Sequence, residues 1–407
     1  MVKLDTNPYK GVRDFYPEDL RFRKWLFSKW RKVAERYGYV EYDASVLEPA
    51  ELYRSKTSEE IVNEQTYTFT DRGDREVTLR PEMTPTVGRM VAGKRRELGF
   101  PLRWYSIPNV FRYESPQKGR LREHFQFNAD IFGVSEIDAD VEIIQLAYET
   151  MISLGAKDSD FEIRVNSRKL LARVYEPILK NQEDLQKALR LEDKAEKMNP
   201  KELEDERNKL FSRPFEKQDA QPKNSPELER VMEKLDKLGI KTKFDFKLIR
   251  GFDYYTDIIF EVFDTDPNNR RSLFGGGRYD NLLQMFGEEK VPAVGIAMGD
   301  VTAKDFLETH GLMPELKNET NIALLSFGNT DVSSVADTLR DAGLNIAVDN
   351  TEKDISDKKR NAEKNNIPFY IVVGENEITS GKFELKNILT KNVFSGTLQE
   401  ISEQFLR

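Results

Sequence analysis

Apolar side chains near the start of the chain recur at intervals of three and four residues. The residues that share this spacing are Phe22, Leu26, Trp30, Val33 and Tyr37. Such a repeat places them on one face of a helix. Pro17 stands where a helix can begin, and Gly38 stands where one can end. The pattern predicts a helix over residues 18–37.

Residues 124–131 follow a different periodicity and alternate strictly between polar and apolar side chains. The polar positions are His124, Gln126, Asn128 and Asp130. Because strand side chains point alternately to opposite faces, this strand has one core face and one polar face. The polar face carries amides and a carboxylate where a solvated strand usually carries Lys, Glu and Thr. This composition indicates selective hydrogen bonding to a ligand.

An aromatic and β-branched run over residues 102–113 precedes this strand, and a basic loop over residues 118–122 joins the two. The pattern predicts an antiparallel hairpin. Its polar face is suited to binding a small polar molecule by selective hydrogen bonds, and its loop is suited to binding polyphosphate or an RNA end. An ordinary hairpin with a charged turn fits the same periodicity.

Further strand signals lie on the N-terminal side of this hairpin. One strand is predicted over residues 39–47, ended just before Pro49. Residues 67–70 and 76–79 flank the polar residues 71–74, which is typical of a tight hairpin. Strand runs followed by helix runs indicate an α+β domain with an antiparallel sheet.

The domain organisation follows from shifts in composition. Residues 1–167 and 246–318 are two parts of one main domain, and residues 168–245 interrupt it. This interval is dense in Lys, Glu, Asp and Leu and contains several prolines, so we interpret it as a helical insertion. A solvated helical appendage without chemistry explains it best. Residues 319–407 alternate between strand and helix patterns, which predicts a small α/β domain.

Consecutive glycines lie at 275–277, in a predicted turn that precedes a helix starting near Asn281. Glycines bring the backbone close to a neighbour and leave N–H groups exposed, as an anion or carboxylate site requires. A second unusual peptide, residues 250–255, leads into a strand predicted over residues 258–263. We call residues 250–255 the arginine peptide.

Composition limits the chemistry that this chain can perform. Its 407 residues contain no cysteine and only two histidines, His124 and His310. Disulfides, thiolate nucleophiles and metal sites built from several Cys or His ligands are therefore excluded. Chemistry has to rely on Arg, Lys, carboxylates and bound Mg²⁺, and no metal site is assigned to the chain itself.

Net charge and hydropathy limit the kinds of partner that the chain can bind. A net charge of −8 argues against broad nonspecific binding of nucleic acid, although local basic patches can contact phosphates. No apolar run approaches the roughly 20 residues of a membrane span, and no apolar signal segment opens the sequence. The expected location is the cytoplasm, without membrane association.

Four segments, taken in order, resemble those of histidyl-tRNA synthetases, which are class II aminoacyl-tRNA synthetases. They are Glu48-Pro49, similar to motif 1; Phe111 to Glu114 with the hairpin to Asp130, similar to motif 2; and the arginine peptide and Gly275 to Asp280, similar to the two histidyl signature peptides. Residues 357–375 resemble part of the family's anticodon-binding domain. The resemblance implies a class II antiparallel sheet flanked by helices, a helical insertion, a C-terminal α/β anticodon-binding domain, and a homodimer.

The resemblance also implies activation of L-histidine with ATP and Mg²⁺, followed by transfer to tRNA(His). In the family, the motif 2 arginine, here Arg112, holds the α-phosphate of ATP, and Arg120 approaches the terminal phosphates. Glu114 belongs to the same ATP site. Arg250 offsets charge at the α-phosphate while the histidine carboxylate attacks. Guanidinium groups facing one phosphate suit a reaction that relies on positioning and electrostatics.

The amino acid has its own set of positions in this family. Those that the resemblance implies for histidine here are Glu82, Met83, Thr84, Gln126, Asp130, Tyr254 and Tyr255. Asp130 and Tyr255, with Tyr254 alongside, would bind the imidazole. A carboxylate and a phenol can each engage a ring nitrogen, which few other amino acids imitate.

The chain departs from the family at motif 3, where an arginine normally packs on adenine. The aligned stretch reads Gly299-Asp300-Val301-Thr302, so Thr302 takes the place of the arginine. Arg278 is the candidate replacement in the ATP site. Ser115 stands where many relatives have another arginine, near the part that reads the tRNA 5′ end.

The resemblance leaves one alternative of a different class. The synthetase-like regulatory subunit of ATP phosphoribosyltransferase shares the catalytic fold and binds histidine, but it does not charge tRNA. Those paralogues lack the anticodon-binding domain and usually degrade the arginine peptide, and this chain has both. The missing motif 3 arginine is the best support for the alternative.

Overall fold

The computed structural model describes residues 4–54, 65–115, 119–195, 198–214, 225–250, 253–269 and 271–406. Part of the predicted basic loop, residues 116–118, and residues 251–252 of the arginine peptide lie outside this description. The chain forms two compact units, Met1–Pro314 and Glu315–Arg407. The division falls at the start of the polar stretch 315–320, close to the predicted boundary between residues 318 and 319.

In the described part of the first unit, the helices are α1 (Pro17–Arg36), α2 (Glu51–Arg54), α3 (Thr84–Gly93), α4 (Asp138–Ser153), α5 (Arg168–Tyr175), α6 (Leu185–Lys194), α7 (Pro200–Leu210), α8 (Pro226–Lys237) and α9 (Asp300–Thr309). Short 3-10 helices span Glu176–Ile178, Gln182–Asp184 and Leu282–Phe286. Its strands are β1 (Val40–Glu41), β2 (Leu47–Pro49), β3 (Tyr67–Thr70), β4 (Glu76–Leu79), β5 (Leu102–Ser106), β6 (Asn109–Phe111), β7 (Glu123–Phe132), β8 (Phe161–Ser167), β9 (Thr242–Phe244), β10 (Ile258–Asp264), β11 (Ser272–Arg278) and β12 (Ala293–Gly299).

The first unit is built on a large sheet. Among the described residues the strand order is β1-β5-β7-β12-β11-β10-β8-β9, and β6 pairs with β7. The inner neighbours are antiparallel, whereas β1 with β5 and β8 with β9, at the two ends, are parallel. Strands β2, β4 and β3 form a separate antiparallel sheet. This architecture confirms the predicted α+β class.

Helix α1 confirms the helix predicted over residues 18–37. Pro17 occupies its first turn, where a missing N–H does no harm. Trp30 and Val33 on its apolar face are buried. The Trp30 ring stacks on Phe127 of β7 at a centroid distance of 5.6 Å, so α1 packs on the apolar face of β7.

The predicted hairpin is present, with two differences. Pro108 lacks the N–H that a continuous strand needs, so the run over residues 102–113 divides into β5 and β6, both antiparallel to β7. The polar face of β7 is also covered. Gln126, Asn128 and Asp130 are 9%, 3% and 3% exposed, because other segments, including the N-terminus of α3 and the residues Tyr254 and Tyr279, lie over this face.

Two other strand predictions have different outcomes. The hairpin of residues 67–70 and 76–79 is confirmed at the predicted bounds as β3 and β4. The strand predicted over residues 39–47 is wrong, because residues 42–46 have no strand structure, and Asp43 and Ser45 each accept a hydrogen bond from a nearby backbone N–H. Its beginning forms β1, and its last residue, Leu47, belongs to β2 together with the Glu48-Pro49 pair.

The glycines at 275–277 are not a turn. They lie within β11, which runs between β10 and β12. A Cβ on Gly276 would come 2.0 Å from the carbonyl oxygen of Gly295 on β12, so the glycine is needed for the close approach of the two strands. The helix predicted to start near Asn281 is present after β11 as a 3-10 helix over Leu282–Phe286.

The insertion is helical, as predicted, but its second part belongs to the main domain. Helix α8 buries Leu228, Val231 and Leu235 in the same core as α1 and α4. Strand β9 then extends the main sheet beside β8. The interpretation of residues 168–245 as a separate appendage is therefore wrong for residues 226–244.

The second unit confirms the predicted α/β pattern. Its elements are β13 (Ile322–Ser326), α10 (Ser333–Asp341), β14 (Ile346–Asp349), α11 (Ile355–Lys364), β15 (Phe369–Val373), α12 (Glu375–Ser380), β16 (Phe383–Asn387), β17 (Val393–Gly396) and α13 (Leu398–Leu406). The sheet order is β14-β13-β15-β16-β17. Strand β13 is parallel to both of its neighbours, and β16 and β17 form an antiparallel extension. In the described part of both units, every helix is too short or too polar to cross a membrane.

Candidate active site

A cavity lies over the centre of the main sheet, on the polar face of β7. The residues that line it are Glu82, Thr84, Arg112, Gln126, Asp130, Arg250, Tyr254, Tyr255, Tyr279, Gly295, Ile296 and Ala297. They come from β7, β12, the start of α3 and the residues just before it, the residue after β6, the arginine peptide and the loop after β11. Segments far apart in the sequence thus converge on one pocket.

Asp130 forms the acidic end of this cavity. Its Oδ1 accepts a hydrogen bond from the hydroxyl of Tyr279, and its buried Oδ2 has no hydrogen-bond partner among the described residues. Burial raises the pKa of the Asp130 carboxyl to about 7, partly offset by the Tyr279 bond. A Cβ on Gly295 would come 2.5 Å from Oδ1, so the glycine leaves room for the acidic side chain.

Aromatic hydroxyl groups surround the acidic end. The rings of Tyr254 and Tyr255 lie 4.9 Å apart, and those of Tyr254 and Tyr279 lie 5.7 Å apart. The Tyr254 hydroxyl donates a hydrogen bond of 3.1 Å to Glu82 Oε2. Gln126 reaches the same space and keeps a buried Oε1 with no partner among the described residues. The cavity therefore offers acceptors on several sides to a ligand that carries N–H groups.

Arginines form the cationic side of the cavity. Arg112 is fixed by a hydrogen bond of 2.9 Å from its Nε to the carbonyl oxygen of Pro81. Arg250 pairs with Glu261 of β10, with Nη1 and Oε1 3.1 Å apart, and its guanidinium lies 5.3 Å from the Tyr255 ring centroid. A Cβ on Gly275 would come 2.1 Å from Arg250 Nη1, so the Arg250 side chain occupies space that only glycine leaves open.

Comparison of the chain with known proteins shows the family to which it belongs. A family model described as histidyl-tRNA synthetase matches residues 11–301, and one described as an anticodon binding domain matches residues 322–407. The chain belongs to the histidyl-tRNA synthetase family. The histidine–tRNA ligase of Leptospira biflexa is 39% identical and aligns over 99% of this chain and 98% of its own length. That of Thermoplasma volcanium is 36% identical, over 94% of each chain.

Solved structures show the same fold. Apo histidyl-tRNA synthetase from S. aureus matches with a TM-score of 0.75 at 23% identity and covers 100% of both chains. The protein from Nostoc sp. PCC 7120 gives a TM-score of 0.76 at 21% identity over 99% of both chains. The predicted class II architecture of a histidyl-tRNA synthetase is therefore confirmed.

Several site residues predicted for this synthetase do not line the cavity. Met83 is 1% exposed and is buried next to the lining residues Glu82 and Thr84. Arg120 and Glu114 lie near each other at the loop of the hairpin, with Nη1 and Oε2 3.6 Å apart. They stand outside the lining, and their assignment to ATP remains a prediction.

Arg278 points away from the cavity, which argues against the predicted contact with ATP. Its guanidinium is buried and pairs with Asp140 of α4, with Nε and Oδ1 3.0 Å apart. It also donates to the carbonyl oxygens of Val134 and Glu136, each at 3.1 Å. Arg278 is therefore a structural residue that ties β11 to α4. Its neighbour Tyr279 enters the cavity instead, since successive residues of an extended chain point to opposite sides.

We expect Arg278→Lys to destabilise the synthetase without weakening its binding of ATP. Lysine keeps the charge but loses the fork of N–H donors, so the free energy of unfolding should fall by about 1.5 kcal/mol or more. Urea denaturation and the KM for ATP in pyrophosphate exchange provide the two measurements. An increase of about tenfold or more in that KM, with normal stability, would return Arg278 to the ATP site.

The position of the missing motif 3 arginine is filled differently in this synthetase. Thr302 Oγ1 donates to the carbonyl oxygens of Leu273 and Gly299, at 2.8 and 3.1 Å. The nearby Asp300 pairs with Arg13 at 2.7 Å. Burial and the charge of Arg112 lower the pKa of the neighbouring His124 to about 3, so that ring is neutral. The sequence alone shows that the arginine is missing. It does not show that Arg13, which lies 289 residues before Thr302, pairs with Asp300.

Proposed function

We propose that this synthetase activates L-histidine with Mg·ATP to give histidyl-adenylate and pyrophosphate, and then transfers histidine to tRNA(His) with release of AMP. One observation carries the proposal: a single cavity combines a buried carboxylate and phenols at one end with Arg112 and Arg250. The relatives named histidine–tRNA ligase, matched over nearly their whole length, support the same activity.

The acidic end of the cavity suits an imidazole ring. Asp130 Oδ2 is buried without a partner among the described residues, so an N–H of the ring can donate to it. The hydroxyl of Tyr255 can meet the other ring nitrogen, because a phenol both donates and accepts. Glu82, Thr84 and Gln126 lie where they can bind the α-amino group. An amino acid without a polar ring would leave these groups unsatisfied.

The cationic side suits the reacting carboxylate and phosphate. A carboxylate oxygen of histidine attacks the α-phosphorus of ATP, a new P–O bond forms, and the bond to the bridging oxygen of the β-phosphate breaks. Pyrophosphate leaves with the electron pair. Arg112 and Arg250 stabilise the negative charge that grows on the α-phosphate oxygens, and their fixed positions remove the need for reorganisation. Glu114 and Arg120 extend this site toward the terminal phosphates.

Mg²⁺ belongs to the substrate in this scheme. It arrives with ATP, and the phosphates supply ligands to it. Among the described residues there is no cluster of three or more His, Asp or Glu side chains suited to hold an ion. Catalysis by the protein itself is assigned to arginine.

The second unit is proposed to bind the anticodon of tRNA(His). The family model for anticodon-binding domains covers residues 322–407, and within it the sequence has a basic patch of Lys358, Lys359, Arg360 and Lys364. Lys358 does not belong to that patch, because it is 1% exposed and donates to the carbonyl oxygen of Ser326 at 2.7 Å. We further propose that the chain acts in the cytoplasm and forms a homodimer. Light scattering of the purified chain can test the dimer.

No finding favours the regulatory subunit of ATP phosphoribosyltransferase. The anticodon-binding domain is present, and Arg250 enters the cavity.

Histidine-dependent exchange of labelled pyrophosphate into ATP tests the proposal directly. Exchange should require L-histidine, and other amino acids should not replace it. Binding of histidine without any exchange would contradict the proposed activation and favour a regulatory role.

Removal of the second unit separates activation from charging. A chain ended at Pro314 keeps the main sheet and its cores, because the second unit has its own core around Leu324 and Ile371. We expect pyrophosphate exchange to persist and aminoacylation of tRNA(His) to fall. Equal aminoacylation by the shortened and full chains would show that residues 315–407 have another purpose.

The pH dependence of stability tests the environment of Asp130. Its pKa rises from 3.8 to about 7 in the folded state, so the folded chain holds a proton that the unfolded chain loses above pH 3.8. The free energy of unfolding therefore falls as pH rises between those values. We expect the stability of Asp130→Asn relative to the unchanged chain to increase over this window and to level off above about pH 7.5. A difference that stays constant with pH would show that Asp130 ionises normally.

A further inference from the structure

The first two helices of the insertion contact the arginine peptide. Arg190 of α6 forms a bidentate ion pair with Asp253, in which Nε and Oδ1 are 3.0 Å apart and Nη2 contacts Oδ2. The side chains of Arg190 and Asp253 are 27% and 15% exposed. A bidentate guanidinium–carboxylate pair fixes orientation as well as distance.

A second arginine holds the backbone on the other side of Arg250. Arg168, the first residue of α5, is 6% exposed. Its Nη1 donates to the carbonyl oxygens of Ile249 and Arg250, both at 3.3 Å, and its Nη2 donates to Gln186 Oε1 at 2.9 Å. Since Gln186 belongs to α6, this guanidinium joins the insertion to the backbone of Arg250.

Arg250 needs such support because its backbone is in the left-handed region, with φ of +57°. A residue with a Cβ adopts this conformation only where the surroundings impose it. Its side chain must also enter the narrow space beside Gly275 and Tyr255. Small movements of the peptide would take the guanidinium out of the cavity.

We propose that Arg190 is a positioning residue: through Asp253, the insertion holds the arginine peptide so that Arg250 faces the reacting phosphate. The inference rests on the role proposed above for Arg250. Asp253 precedes Tyr254, whose hydroxyl binds Glu82, so the same ion pair lies next to the histidine end of the cavity. The insertion thereby takes part in the chemistry of a site that it does not line.

The test compares Arg190→Ala with Arg207→Ala in the full-length chain. Arg207 of α7 forms a similar bidentate pair with Glu192 of α6, with Nε and Oε1 2.7 Å apart, so this pair joins two helices of the insertion, whereas the Arg190 pair joins the insertion to the arginine peptide. We expect Arg190→Ala to lower kcat for pyrophosphate exchange by on the order of tenfold, with the KM for ATP nearly unchanged. Arg207→Ala should keep the activity of the unchanged chain. Arg190→Lys should recover part of the loss, because it restores the charge but not the fork.

A double variant tests whether the two residues act as a pair. Arg190→Ala combined with Asp253→Asn should be no slower than either single variant, since each removes the same interaction. Multiplying losses would overturn the pairing. Thermal unfolding of all variants shows whether a loss of kcat merely follows a loss of stability. If it did, Arg207→Ala would lose kcat as well wherever it lost stability.

Hydrogen exchange of the peptide over residues 246–257 supplies a readout independent of activity. Arg190→Ala should accelerate exchange there, and Arg207→Ala should not. If Arg190→Ala leaves either the hydrogen exchange of this peptide or kcat for pyrophosphate exchange unchanged, the inference is overturned while the proposed function stands. If the unchanged chain makes no adenylate, the proposed function and the catalytic part of the inference both fail.

Discussion

Replacing Arg250 with alanine is expected to lower kcat for histidine-dependent pyrophosphate exchange by on the order of 10²-fold or more. Arg250 and Arg112 both line the cavity, and removal of one such cation leaves part of the transition-state charge unbalanced. The loss should appear in kcat more than in the KM for histidine, because the imidazole is proposed to bind to Asp130 and Tyr255 and not to the guanidinium of Arg250. Steady-state exchange kinetics at varied ATP and histidine measure both.

Arg103→Ala is the matched control for that experiment. Arg103 lies on β5 of the same sheet and forms a bidentate pair with Glu142, both contacts at 2.7 Å, without lining the cavity. Its removal should affect stability and leave exchange nearly intact. If Arg250→Ala behaved like Arg103→Ala, the charge at the α-phosphate would have to be balanced by another group.

Asp130→Asn is expected to raise the KM for histidine by roughly 10- to 100-fold and to leave the KM for ATP nearly unchanged. Asparagine keeps the size of the side chain and can still accept one hydrogen bond. It loses the charge-assisted part of the bond to the imidazole N–H, worth about 1–3 kcal/mol at a buried site. The measurement is pyrophosphate exchange with each substrate varied in turn.

Asn128→Ala provides the control on the same strand and the same face. Asn128 is buried, but its Nδ2 donates to the carbonyl oxygen of Gln126 at 2.9 Å, and it does not line the cavity. Equal increases in both KM values for Asp130→Asn would indicate general damage to β7. A normal KM for histidine would remove Asp130 from the specificity pocket.

The sequence predicted much of this site because its parts lie in short, recognisable peptides. The alternation over residues 124–131 placed Gln126 and Asp130 on one face, and the structure puts both in the cavity. What alternation could not show was that this face is buried. Burial depends on the segments that lie over this face, such as the N-terminus of α3 with Thr84 and the residues Tyr254 and Tyr279, which come from distant parts of the chain.

Neighbouring residues were harder to assign. The peptide that ends β11 was recognised, but Arg278 was chosen from it, whereas Tyr279 enters the cavity. A cation was sought because the motif 3 arginine was missing. Only the positions of Asp140 on α4 and of Asp130 on β7 decide which of the two residues faces which side.

The glycines at 275–277 show a similar limit. Three glycines in succession are typical of a turn, yet they lie in a central strand. Their function is to remove side chains from a crowded place, where Arg250 and the strand of Gly295 already occupy the room. Crowding of this kind arises only from the tertiary fold.

The placement of α8 and β9 limits how this region can be exchanged between relatives. A graft cut at residues 168 and 245 would remove a sheet strand and a helix of the main core. Cutting after α6 avoids the contacts to Arg250, and stopping before Pro226 preserves the core. Helix α7, which has no buried residue, is then the part most open to replacement. Recombinant chimaeras of these synthetases should therefore tolerate junctions on either side of α7.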